Sequence, residues 1–122
     1  MPLISSKLSD KYLWTKHSQY KMRYYGLSPQ RIKRIIRHPA RVEEAIVPDM
    51  IAVMQPASAE APVGKPARKK YSEIWAIYVL TKSNVKGQKS KVKVITAWRY
   101  PGKSSARDPI PREILDEIRT II

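Results

Sequence analysis

No cysteine occurs among the 122 residues of this chain. Disulfide scaffolds, cysteine-ligated zinc or iron–sulfur sites and thiol catalysis are thereby excluded. Two histidines, His17 and His38, are too few for an all-histidine metal site, so neither a metal nor a cofactor is expected. The four glycines stand singly, without the clustering that cradles nucleotide phosphates. No apolar run approaches the roughly 18 residues of a membrane-spanning helix. The opening Met-Pro-Leu-Ile-Ser-Ser-Lys also lacks the apolar stretch of a secretory signal. The expectation is a cytoplasmic protein with no membrane partner.

Carboxylates are scarce as well, ten against twenty-four lysines and arginines. None forms a pair suited to metal or glycosidase chemistry. Glu43 and Glu44 fall on opposite faces if they lie in a strand, and Asp116 and Glu117 belong to the polar face of the last helical stretch. The formal net charge is +14, well beyond the magnitude of about 2–8 that solubility asks of a small domain. The excess is concentrated in two blocks, +9 over residues 1–42 and +11 over residues 61–107, with −4 between them and −2 after them. Such a field concentrates polyanions, and phosphate backbones are the common ones. RNA or the ribosome heads the expected partners, followed by an acidic protein.

The chain length suits one domain, and 43% hydrophobic residues suffice for a core. Residues 1–12 are polar and expected to be poorly ordered. Thr15 to Tyr25 reads as a short helix closed by Gly26. Ser28-Pro29 opens a second helix, with serine as N-cap and proline in the first turn. Ile32, Ile35 and Ile36 form its apolar face, Arg31, Lys33, Arg34 and Arg37 its flanks and back. His38-Pro39 ends it, with His38 in a capping role. Arg41 to Val47 and Met50 to Gln55 read as a hairpin turning at Pro48-Asp49. Glu73 to Leu80 has the β-branched and aromatic content of a central strand.

Lys91 to Tyr100 alternates as a strand. Simple alternation puts Val92, Val94, Thr96 and Trp98 on one face and Lys91, Lys93, Ile95, Ala97 and Arg99 on the other. Residues 56–70, with three prolines and a basic end, read as a mobile insertion loop. Beyond Pro109, the stripe Ile114, Leu115, Ile118, Ile121 and Ile122 predicts a third helix docked on the body. The resulting expectation is an α+β domain in which helices pack on a four-stranded antiparallel sheet.

With no metal expected, the chemistry open to such a chain is acid–base work on phosphate esters. His17 is the candidate proton carrier. Lys21 lies four residues on, hence on the same helix face, and a neighbouring cation favours the neutral imidazole that a base needs. Arg99 and Tyr100 end a strand beside Lys103, Ser104 and Ser105, a set able to grip phosphate. The candidate catalytic set is therefore His17, Lys21, Arg99 and Tyr100. The candidate nucleic-acid-binding set is Arg23, Arg34, Arg37, Lys91, Lys93, Lys103 and Ser104. Trp75, Trp98 and Tyr78 are assigned to the core. Tyr24 and Tyr25 cannot both be buried on one helix, which leaves one of them for stacking.

The run His17-Ser-Gln-Tyr-Lys-Met-Arg-Tyr-Tyr-Gly-Leu-Ser28, followed by an isoleucine-rich helix ending at Pro39, resembles a small uncharacterised domain family. That family reads His-Ala-x-x-Arg-Met-x-x-Arg-Gly-Ile-Ser, and is related to the BrnT toxins and more distantly to the RelE/ParE toxin fold. Val92 to Tyr100 is similar to its terminal strand, and the likeness covers roughly residues 13–105. His17 matches the family histidine, Met22 its core methionine, Gly26 its helix-ending glycine and Ser28 the next cap. Lys21 and Tyr25 stand where the family has arginines. Lysine keeps the charge without the forked geometry, and tyrosine abandons it. The resemblance implies a RelE-like architecture and a toxin-like, metal-independent ribonuclease or ribosome-directed domain, with an acidic antitoxin as companion. The alternative is a non-catalytic basic module that binds nucleic acid.

Overall fold

A computed structural model describes residues 11–44, 49–59, 70–81, 91–105 and 109–121. The elements run β1 (Tyr12–Trp14), α1 (Lys16–Tyr25), α2 (Pro29–Arg37), β2 (Arg41–Glu44), β3 (Met50–Ala59), β4 (Lys70–Thr81), β5 (Lys91–Pro101) and α3 (Arg112–Ile121). The α+β class matches the expectation, but the sheet has five strands in the order β1-β5-β4-β3-β2 and is mixed. The four predicted strands form its antiparallel part. The fifth is β1, which runs parallel to β5 with Tyr12 opposite Val92 and Trp14 opposite Val94. Three residues carry too little alternation to announce a strand. Tyr12, placed by its sequence in a poorly ordered stretch, is instead only 8% exposed. Residues 1–10 lie outside the described residues.

Local signals shape the helices. Thr15 caps α1 by accepting the Ser18 N–H at 3.0 Å, and its hydroxyl also reaches the carbonyls of Val94 at 3.0 Å and Ile95 at 3.1 Å. Gly26 ends α1 at φ 67°, a left-handed conformation that glycine adopts without strain, and Leu27 N–H closes on the Met22 carbonyl at 2.8 Å. Ser28 caps α2, accepting the Arg31 N–H at 3.2 Å. His38 occupies the C-cap, its backbone N–H donating to the Arg34 carbonyl at 2.9 Å. In α3 the Pro111 carbonyl accepts from Ile114 and Leu115.

The sheet is covered on both faces. On one, Met22, Leu27, Ile32 and Ile35 pack with Val53, Ile74, Ala76, Val92, Val94 and Ala97. On the other, Ile114 and Ile118 of α3 pack with Met50, Ala52, Met54, Trp75, Ile77, Ile95 and Trp98. Trp75 and Trp98 are cross-strand partners, buried as expected, with rings stacked at 5.7 Å and 3°. Tyr78 is only half-buried.

Strict alternation along β5 does not hold. Tyr78 pairs with Val94 and Ile77 with Thr96, so Ile95 is an extra residue, a β-bulge. One inserted residue reverses the facing of everything after it. Val92, Val94 and Ala97 therefore share the α2 side, while Ile95 and Trp98 join the α3 side. Arg99, opposite Ile74, lies on the α2 side, and Lys93, opposite Val79, on the α3 side. The single face expected for Lys91, Lys93 and Arg99 is thus divided by the bulge.

The insertion is also shorter than expected. Pro56, Ala57, Ser58 and Ala59 pair with Glu73, Ser72, Tyr71 and Lys70. Pairing of β2 with β3 stops at Met54, so Pro56 sits on an edge, where a missing N–H is tolerated. Residues 60–69, the rest of the predicted loop, lie outside the described residues, as does the Ala45 to Pro48 part of the first predicted hairpin. Asp49, in its turn, has φ 70°.

Candidate functional site

Three of the four predicted catalytic residues, His17, Lys21 and Arg99, fall into two clefts. The first, about 380 Å³, is lined by His17, Tyr20, Lys21, Tyr24, Tyr25 and Glu117, with further residues of α3. As expected from their spacing, His17 and Lys21 project together, and both meet one carboxylate. Glu117 Oε2 lies 3.1 Å from His17 Nε2, and Lys21 Nζ donates to Oε1 at 2.9 Å. The cation that the sequence suggested would act on His17 is therefore itself paired. Lys21 is 8% exposed, and its ammonium lies 5.2 Å over the Tyr25 ring. Glu117, read from sequence as part of a solvated face, is the residue that ties α1 to α3. Helical periodicity marks it as polar but carries no information on which distant helix it meets.

The second cleft, about 270 Å³, is lined by Ser28, Gln30, Arg31, Arg34, Ile74 and Arg99, together with Gly26 and Leu27. Three arginines from α2 and β5 converge there, and among the described residues no acidic one lines it. Arg99 Nη1 donates to Ser72 Oγ at 3.4 Å. Arg31 Nε is buried and has no hydrogen-bond partner among the described residues. The cleft opens beside the capped start of α2, the end of the helix dipole that favours anions. Its place in the basic flank of α2 does not by itself mark Arg31 as a binding residue. Its part depends on Arg99, which lies 68 positions away in the chain.

Arg99 and Tyr100, expected to act together, point to opposite faces of the sheet. Arg99 joins the arginine cleft, and Tyr100 packs against the Trp75–Trp98 core. Ser104 is 7% exposed; its N–H donates to Glu73 Oε1 at 3.1 Å, and its hydroxyl accepts from Arg41 Nη1 at 3.4 Å. Trp75 Nε1 donates to the same Glu73 oxygen at 3.2 Å. Ser104 is thus part of a buried polar network rather than a surface grip. Of the other binding candidates, Arg23, Arg34, Arg37, Lys93 and Lys103 are exposed and Lys91 is half-buried. They are spread over α1, α2, the α3 side of the sheet and the segment after β5, and only Arg34 reaches a cleft with Arg99.

Among the described residues, no three histidine, aspartate or glutamate side chains gather as a metal site requires, and no helix is long and apolar enough to cross a membrane. No protein-family model, curated protein or solved structure matches the chain. Fold and clefts define a small, strongly basic α+β domain with a mixed five-stranded sheet. The likeness to the toxin-related family rests on the sequence motif alone.

Proposed function

We propose that this chain is a basic nucleic-acid-binding module that grips RNA through its phosphates, with the arginine cleft as the principal seat. The observation that carries the reading is the convergence of Arg31, Arg34 and Arg99 on one open cleft that no carboxylate lines among the described residues. Guanidinium forks match phosphate oxygens in pairs. Arg31 Nε, buried and unpartnered among the described residues, supports the same reading, since a buried donor without an acceptor is costly and an anion would satisfy it. The net charge of +14 adds long-range attraction for RNA or the ribosome in the cytoplasm. An acidic protein, such as an antitoxin, would compete for the same surface.

The second reading is a toxin-like, metal-independent ribonuclease. It is favoured by the His17–Glu117 contact, which holds an imidazole in an open cleft beside Lys21. His17 would take the proton from a ribose 2′-hydroxyl as that oxygen attacks the adjacent phosphorus; the P–O5′ bond breaks, leaving a 2′,3′-cyclic phosphate, and the departing 5′-oxygen takes a proton from water. It ranks second because Arg99, the predicted phosphate clamp, lines the other cleft.

Binding of labelled RNA across a salt series tests the first reading. Affinity should fall linearly on a log–log plot, and Arg31→Ala and Arg99→Ala should each lower the slope by about one. An affinity indifferent to salt overturns it. Incubating the same RNA in chelator with wild type and His17→Ala tests the second, which requires cleavage that the variant slows by about 10²–10⁴-fold.

A further inference from the structure

The remaining unusual surface is aromatic. Tyr24 is 70% exposed and Tyr20 54%, one helical turn apart on α1, with rings 6.4 Å apart and 20° from parallel. Tyr25 meets Tyr24 edge-on at 4.8 Å and 79°. A chain of contacts holds these rings in place. Glu117 fixes Lys21, the Lys21 ammonium sits over Tyr25, and Tyr25, packed against both cores, supports Tyr24. An aromatic ring oriented before binding loses little side-chain freedom when a partner covers it. Water gains nothing from such a display, whereas a planar heterocycle does.

The tyrosine cleft and the arginine cleft are neighbours. Tyr24 and Tyr25 line the first, and the next residue, Gly26, lines the second, because Gly26 turns the chain from α1 toward α2. A base on the tyrosines and a phosphate on the arginines would therefore flank one helix end. Only a single strand can offer both, since a duplex keeps its bases stacked inside. Proteins that bind single strands combine these same two elements, aromatic platforms and a basic track.

We infer that the chain binds single-stranded RNA, with an unpaired base stacked on Tyr24 and Tyr20 and an adjacent phosphate held by Arg31, Arg34 and Arg99. This rests on the phosphate-gripping reading above and adds the form of the nucleic acid and the seat of the base. The basic cleft alongside favours a nucleobase over an apolar peptide side chain as the occupant.

Fluorescence anisotropy on three labelled probes with equal numbers of phosphates tests it: a mixed-sequence single strand, an abasic strand of the same length, and a blunt-ended duplex, which should bind no tighter than the abasic strand. The single strand should bind at least about five-fold tighter than the abasic strand, the lower end of a single stacked base's worth. Tyr24→Ala should remove about ten-fold of the single-strand affinity and leave the abasic strand unchanged, and Tyr24→Trp should preserve binding. Circular dichroism confirms that the variants stay folded. Equal affinity for single and abasic strands, or a Tyr24→Ala variant that binds like wild type, overturns the stacking proposal while leaving phosphate binding standing. If no probe binds in a salt-dependent way, both fall.

Discussion

Lys21 Nζ and Glu117 Oε1 lie 2.9 Å apart, a hydrogen-bonded ion pair across 96 positions of chain that joins α1 to α3. Lys21 is nearly buried, so its ammonium relies on this partner as a hydrogen-bond acceptor. Glu117→Ala should therefore destabilise the fold by about 1–3 kcal/mol, the cost of leaving a buried polar group unsatisfied. Urea denaturation measures it. An unchanged midpoint would mean that Lys21 turns out to solvent once the carboxylate is gone.

Trp98 and Tyr24 make opposite predictions for one aromatic deletion. Trp98 is 2% exposed and stacked on Trp75, so Trp98→Ala should cost about 3–5 kcal/mol. Tyr24 is 70% exposed, and Tyr24→Ala should stay within about 0.5 kcal/mol of wild type. The contrast is readable in one thermal melt series.

Arg99→Lys keeps the charge at the arginine cleft but loses the fork. RNA affinity should fall several-fold while its salt slope is nearly retained, because the slope follows charge and the affinity follows geometry as well. Retention of full affinity would show that Arg99 acts only as a point charge.

Tyr78 sets an alkaline limit. Burial first, and the nearby Tyr12 phenol second, raise its pKa above the ordinary 10.0. A pKa raised on folding stabilises the fold below the unfolded value, and that contribution is lost as pH rises from 10 through the folded value. Stability should decline above pH 10, and Tyr78→Phe should flatten that decline. Chemical denaturation at pH 8, 10 and 11 checks it.

The strand pairs beyond Gln55 can be tested by excision. Ala57 packs on the core, and its carbonyl accepts from Ser72 Oγ at 3.1 Å. Replacing residues 57–66 with a glycine–serine turn should lower the melting temperature by several degrees. Ala59 and Lys70 are cross-strand partners, so bridging them with about four residues, a common hairpin length, should leave it nearly unchanged. Equal melting temperatures for the two deletions would show that the added pairs contribute little.

Much of the local structure was legible because it arises from short-range chemistry. Thr15 and Ser28 cap their helices by accepting N–H groups three residues on, and Gly26 closes α1 in the conformation its missing Cβ allows. Ile32, Ile35, Ile114 and Ile118 are buried on the faces that periodicity assigned them. The candidate site was legible only in part. His17 and Lys21 do share a helix face, since four-residue spacing dictates it, but Glu117 between them and Arg31 beside Arg99 are meetings of distant segments.

The sequence alone, then, determined the helices with their caps, the antiparallel strands, the tryptophan core and the basic excess, all set by composition and by spacings of two to four residues. Tertiary structure decided what a one-dimensional pattern does not encode. It made Tyr12–Trp14 an edge strand through its ladder with β5, and it split Lys93 from Arg99 through one bulged residue at Ile95. It also turned a scattered positive charge into one cleft of three arginines and another of tyrosines around a paired histidine. The physical reason is common to all three: strand register and helix docking follow from the closest packing of both sheet faces, and that packing joins residues with no spacing relation in the chain.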